Sequence, residues 1–123
     1  MNFTSNKPIY IQIADLICEK ILVQIFKEED RIPSVRELAI DLEVNPNTVM
    51  RTYEYLQELA IIYNKRGVGF FVSLNGMNKA SEYLKKECME KDMPSLFKKI
   101  NLLKITFREI EELYLQYLKN SNN

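Results

Sequence analysis

Two helix-start signals, one short turn apart, constrain this chain more than anything else in it. In Pro33-Ser34-Val35-Arg36-Glu37, the Ser34 hydroxyl can accept from the backbone N–H near Glu37 while the Glu37 carboxylate reaches back to the Ser34 N–H, a capping box. In Asn45-Pro46, a capping side chain precedes a proline whose φ is already helical. After the first signal Val35, Leu38, Ala39 and Leu42 share one face, and the pattern stops around Glu43. After the second, Val49, Tyr53, Leu56 and Leu59 point inward at steps of four and three. Two short helices joined by a tight turn between Ser34 and Leu59 have helix-turn-helix spacing.

The flanking segments complete a domain around this pair. From Pro8 to Phe26, Ile9, Ile13, Leu16, Ile17, Ile21 and Ile25 recur at helical steps and predict a first helix with one buried face. The charged stretch Lys27 to Arg31 reads as a surface loop. Beyond Leu59, Ala60–Asn64 and Phe70–Leu74 are rich in β-formers, and Lys65-Arg66-Gly67-Val68-Gly69 between them supplies two of the three glycines, as a tight reversal requires. A hairpin directly after a helix-turn-helix is a wing.

Asn75-Gly76 punctuates the chain, and a lysine-rich amphipathic region follows. One helix is predicted from about Asn78 to Lys91, with Tyr83, Leu84 and Cys88 on its apolar side. Asp92 and Pro94 mark a restart or a kink. Leu96, Phe97, Ile100 and Leu103 continue the stripe. Thr106-Phe107-Arg108-Glu109 is a second capping box, opening a last helix that carries Ile110, Leu113, Tyr114, Tyr117 and Leu118, with a frayed tail after Lys119. The expected fold class is mainly α with a small β-hairpin wing: a winged helix-turn-helix over residues 1–75 and a helical dimerisation extension over residues 76–123.

A chain of 123 residues leaves no room for a large catalytic domain beside these elements. It has no histidine, which removes Ser-His and Cys-His nucleophile pairs and the commonest metal ligand. Cys18 and Cys88 lie far apart in helical patterns without a CxxC neighbour, and are read as reduced packing residues. No enzyme, metal site or cofactor is expected. No apolar run approaches the roughly 18 residues needed to span a bilayer, and nothing resembles a signal peptide, so the reading is a cytoplasmic chain with no membrane partner. The formal net charge is zero, so bulk electrostatics gives no support to nucleic-acid binding, and local arrangement must carry that reading.

Base edges in the major groove are read by hydrogen bonds, so a reading helix must carry polar side chains opposite its core stripe. With Val49 and Tyr53 inside, Asn47, Thr48, Met50 and Arg51 are free to face outward. Asn47 can read adenine or bind phosphate, Thr48 can contact phosphate or a thymine methyl, and Arg51 can bind guanine or phosphate. Arg36 in the first turn of the preceding helix and Arg66 at the wing tip can reach backbone or groove edge. The bland alternative for each is a solvated surface side chain.

These residues carry a family resemblance. Pro8-Ile9-Tyr10 with Gln12-Ile13, the run Arg31 to Ala39, Val44-Asn45-Pro46-Asn47-Thr48-Val49, and Arg66-Gly67 resemble the winged-helix domain of GntR-type regulators over about residues 7–74. The short helical extension is similar to the YtrA-type branch, whose few helices after the DNA-binding domain serve dimerisation. The resemblance implies operator contacts from Arg36, from the residues around Asn47 and Thr48, and from the wing at Arg66 and Gly67; Asn45, Met50, Arg51 and Lys65 complete the expected DNA-binding set. Two departures stand out: Met50 occupies a position that is commonly basic in the family, and the usual Pro-Gly before Asp30-Arg31 is replaced by the Lys27–Glu29 region.

The function expected is a homodimeric transcription regulator, in this branch most often a repressor, binding double-stranded DNA with two-fold symmetry. Tyr83, Leu84, Leu96, Phe97, Ile100, Phe107, Ile110, Tyr114 and Tyr117 are assigned to the dimer seam, because two thin helices cannot bury so many large apolar groups alone. Folding back onto the winged domain is the alternative. A winged helix used for protein–protein docking is the rival function. No residue pattern points to a small-molecule effector.

Overall fold

A computed structural model describes residues 6–122. The chain divides into two compact units, residues 1–85 and residues 86–123, and the start of the first expected domain, residues 1–5, lies outside the described residues.

The first unit contains helices α1 (Ile9–Leu22), α2 (Val35–Leu42) and α3 (Pro46–Glu58), strands β1 (Ile62–Lys65) and β2 (Gly69–Val72), and helix α4 (Gly76–Glu87) up to Lys85. Its core draws Ile13, Ala14, Ile17, Cys18 and Ile21 from α1, Leu38, Ala39 and Leu42 from α2, and Val49, Tyr53 and Leu56 from α3. Ile32, Ile61, Ile62, Val72 and Ala80 close it from the loop, the hairpin and α4. Each apolar stripe is thus satisfied by its neighbours, which is what holds short helices of marginal intrinsic stability in place.

The first helix is shorter than its apolar pattern. It stops at Leu22, and Gln24 takes a left-handed conformation (φ 62°), which leaves Ile25 exposed. Ile9 is exposed as well, at the helix start. The capping box of α2 forms in full: Ser34 Oγ accepts from Glu37 N at 3.1 Å, and Ser34 N donates to Glu37 Oε1 at 3.1 Å. Glu43 (φ 55°) reverses the chain after α2, and Asn45 Oδ1 caps α3 by accepting from Asn47 N at 2.8 Å.

The hairpin pairs Ile62 with Val72 through Lys65 with Gly69, antiparallel. Ala60 is not a strand residue: its left-handed φ of 58° turns the chain out of α3, and Ile61 N donates back to Leu56 O at 3.0 Å. The Lys27–Arg31 region is not a simple surface loop either. Val72 N donates to Asp30 O and Ile32 N donates to Phe70 O, both at 2.9 Å, and Arg31 bridges Phe71, so the segment covers the free edge of β2. Gly76 starts α4 where only glycine fits, since a Cβ would lie 2.8 Å from Val72 Cγ1 and 2.9 Å from Ile61 O.

Tyr83 and Leu84, expected at the dimer seam, already have partners inside the first unit. Both are half-buried against the winged core, and Tyr83 Oη donates to Asp15 Oδ1 at 2.9 Å. The first unit therefore runs past the expected boundary at residue 75.

In the second unit a π-helical stretch, Cys88–Asp92, runs into α5 (Met93–Leu103) without leaving helical backbone angles, and Pro94, which has no N–H to donate, follows that widened turn directly. Lys104 (φ 56°) ends α5. The Thr106–Glu109 capping box forms and opens α6 (Phe107–Ser121), which extends two residues beyond Lys119. Neither helix has a buried residue. Leu96, Phe97, Leu103, Phe107, Leu113, Tyr114 and Tyr117 are exposed, while Ile100 and Ile110 are half-buried.

Candidate nucleic-acid interface

The outward surface of α3 is set by what its other side buries. Val49, Thr52, Tyr53 and Leu56 are fully covered, so Asn47, Met50 and Arg51 are exposed and Thr48 half-buried. Thr52 is buried there although polar, and its Oγ1 donates to Tyr10 O of α1 at 2.7 Å. Tyr53 Oη donates to Pro33 O at 2.5 Å, tying α3 to the residue before the α2 cap. These two hydroxyl bonds leave α3 little freedom to turn about its axis.

Arg36 is exposed in the first turn of α2. A shallow apolar hollow lined by Arg36, Ala39, Ile40, Val44 and Pro46 separates it from the start of α3. On the other side of α3, Pro8, Ile9 and Tyr10 line a second hollow with Asn47, Thr48 and Arg51. The Arg51 guanidinium carbon lies 4.0 Å from the centre of the Tyr10 ring.

At the hairpin tip, Val68 N donates to Lys65 O at 2.9 Å, and Gly67 holds φ 78° at the third position of the turn, where a side chain would be strained. Arg66 beside it is exposed, and Lys65 Nζ stands 5.0 Å from the centre of the Phe71 ring. Arg31 packs across the wing base, where a Cβ on Gly69 would come within 2.9 Å of its Nε.

No carboxylate occurs between Val44 and Tyr53, and Glu54 is the first acid along α3. Asp15 and Glu19 sit on α1, and Asp41 and Glu43 at the far end of α2. The near-balance of the unit thus conceals donors and cations without an adjacent carboxylate at the start of α3 and at the wing tip, whereas Arg36 at the start of α2 stands beside Glu37. Glu37, in the capping box, has a lowered pKa because the Ser34 N–H and hydroxyl hold its charged form. Asn45 spends its side-chain oxygen on the cap, which leaves only its amide N–H groups for an outside partner.

The surface is suited to donate hydrogen bonds to phosphate oxygens and base acceptors. It is not suited to covalent chemistry. Burial, with Asp15 and Glu19 nearby, pushes the Cys18 thiol up to about 12, so it is an inert packing group at neutral pH. Among the described residues no cluster of His, Cys, Asp and Glu could hold a metal ion, and no helix is long and apolar enough to cross a membrane.

Residues 9–72 match the family described as bacterial regulatory proteins, gntR family. The chain belongs to the GntR family. Over 71 residues it is 46% identical to YhcF of Bacillus subtilis (strain 168), an HTH-type transcriptional regulator, across 58% of this chain and 59% of that one. Over 71 residues it is 45% identical to YtrA of the same organism, an HTH-type transcriptional repressor, across 58% of this chain and 55% of that one. The match thus spans somewhat under three fifths of these relatives' length. A solved GntR-family structure from Bacteroides thetaiotaomicron superposes with a TM-score of 0.74 at 44% identity, covering 93% of this chain and 99% of that one. Such relatives are transcription regulators, not enzymes, and the winged-helix fold with a helical extension is theirs.

Within this GntR domain, Asn45, Asn47, Thr48, Met50 and Arg51 gather on the first two turns of α3, with Arg36 across the α2–α3 turn. Lys65, Arg66 and Gly67 form a separate point at the wing. Sequence reasoning passed over Tyr10, Thr52 and Arg31 as site-building residues. Thr52 carried a signal, since a lone hydroxyl on an apolar stripe must find an acceptor. Tyr10 and Arg31 stand in the motifs that carry the family resemblance, but their contacts cross long sequence separations and have no local mark.

Proposed function

We propose that this chain is a cytoplasmic, homodimeric transcription repressor that binds a two-fold operator in double-stranded DNA, with α3 in the major groove and the hairpin as a wing. One observation carries the reading: the first two turns of α3 expose Asn47, Met50 and Arg51 without a carboxylate among them, flanked by Arg36 and the Gly67-tipped wing. Asn47 and Arg51 read base edges or phosphates, Thr48 supports them, and Arg36, Lys65 and Arg66 take phosphates. Met50 offers a thymine methyl an apolar contact where a basic side chain is common. Repression is taken over from YtrA, which is named a repressor.

The second unit supplies the pairing. Helices α5 and α6 leave Leu96, Phe97, Phe107, Tyr114 and Tyr117 more than half exposed, an apolar surface that a solvated helix pair does not keep bare. Residues 86–123 carry seven basic and six acidic groups, so two copies approach with little net repulsion. Residues 1–85 carry ten basic and eleven acidic groups, which makes a single copy a weak polyanion binder, and two copies sum their phosphate contacts.

A gel shift on the chain's own upstream region tests the reading. Wild type is expected to retard the duplex as a discrete complex, and Arg36→Ala and Arg51→Ala to weaken it. Unchanged retardation by both variants would refute the assigned face, and failure to bind any duplex at low salt together with a stable heteromeric complex would favour a protein-docking role.

A further inference from the structure

We propose that Tyr10 is a positioning residue for recognition: its ring holds the Arg51 guanidinium in place beside Asn47 and Thr48 before DNA arrives. This rests on the reading of Arg51 as a DNA contact. The guanidinium carbon is 4.0 Å from the ring centre, a face contact that a delocalised cation favours. Among the described residues no carboxylate pairs with Arg51, so the ring is what orders it.

Tyr10 is itself anchored on both sides. Its carbonyl accepts the Thr52 hydroxyl at 2.7 Å, and Thr52 is fully buried and adjacent to Arg51 in sequence. Its ring meets Tyr55 edge-on at 5.9 Å, Tyr55 meets Tyr83 at 5.8 Å, and Tyr83 donates to Asp15. The chain of rings from α4 through α3 to α1 ends at Arg51. One peptide unit of α3 therefore sends a buried hydroxyl to the backbone of Tyr10 and an exposed guanidinium to its side chain, which fixes where the first turn of α1 sits relative to the reading face. Arginine held in this way loses less rotamer freedom on binding than a free one. The same contact leans the Arg51 side chain toward α1.

The test combines equilibrium binding to the operator duplex with side-chain NMR. Tyr10→Leu is expected to weaken binding about threefold to tenfold, Tyr10→Phe to remain within about twofold, and Tyr10→Leu to have no further effect in an Arg51→Ala background. In free wild-type protein, the Arg51 Nε–H is expected to show a ring-current shift and a more rigid heteronuclear NOE than the Arg36 Nε–H; this needs no variant to fold. An Arg51 Nε–H as mobile as that of Arg36 overturns the proposal, as does an equal loss from Tyr10→Leu with and without Arg51. If Arg51→Ala itself binds like wild type, the assignment of Arg51 as a DNA contact fails first, and the proposal falls with it.

Discussion

Tyr53→Phe removes one hydroxyl and nothing else, and its cost can be worked from the structure. The Tyr53 ring is fully buried, and its edge-to-face contact with Phe70, centroids 4.8 Å apart, survives in phenylalanine. What is lost is the bond from Oη to Pro33 O at 2.5 Å. A lost neutral hydrogen bond costs about 0.5–1.5 kcal/mol, and more when its partner is left without a donor. Pro33 is half-buried and water reaches it only partly, so about 1–2 kcal/mol is expected. For a unit of this size that lowers Tm by roughly 4–8 °C per kcal/mol. Urea unfolding followed by circular dichroism gives the value directly, with an unchanged m-value showing that only stability moved.

The same substitution has a pH signature. Burial raises the Tyr53 pKa above its ordinary 10.0. A raised folded-state pKa means that the folded state favours the protonated phenol. That stability is fully present below pH 10 and declines as pH rises through the folded pKa. Tyr53→Phe should flatten this alkaline loss. An unfolding midpoint equal to wild type at pH 7 would refute the claim that this hydroxyl ties α3 to the α2 cap.

Other outcomes follow from single contacts. Gly76→Ala drives a Cβ against Val72 Cγ1 and Ile61 O and should destabilise the first unit by about 1–3 kcal/mol in the same unfolding assay. Ser34→Ala should cost about 1 kcal/mol of stability. The Glu37 half of that cap, whose pKa is lowered, holds above the ordinary carboxylate pKa and is lost as pH falls through the folded value, so the wild-type advantage over Glu37→Gln should shrink in acid. Phe97→Glu with Tyr117→Glu, on exposed positions of α5 and α6, should convert a dimer to a monomer in sedimentation velocity without lowering the Tm of the first unit.

Local signals were legible and non-local ones were not. Both capping boxes and the Asn45-Pro46 start are written within a few residues, and each forms where the sequence places it. Ile9 and Ile25 fit a helical stripe by spacing, but a stripe does not say where the helix stops, and α1 ends before Ile25. The pairing of Asp30–Ile32 with β2 depends on partners some forty residues away and has no local mark. Tyr83 and Leu84 show why an apolar face names no partner: their spacing is legible, but only the fold sends them to Tyr55 and the winged core. At the site, the exposed polar residues of α3 could be read from periodicity, while the contacts that orient them, Tyr10 under Arg51 and Thr52 on Tyr10 O, come from α1 packing on α3.

The central claim, that two copies grip DNA through the start of α3 and the arginines beside it, is tested most directly by anisotropy titrations of a labelled operator duplex at several salt concentrations. Wild type is expected to bind with two chains per duplex and a steep loss of affinity with salt. Arg36→Ala, which removes one phosphate contact from each of the two chains, should lower the salt slope by about two and weaken binding to all sequences alike. Asn47→Ala should instead reduce the preference for operator over random duplex by about 1–3 kcal/mol. Equal affinity, slope and preference in all three proteins would contradict the account.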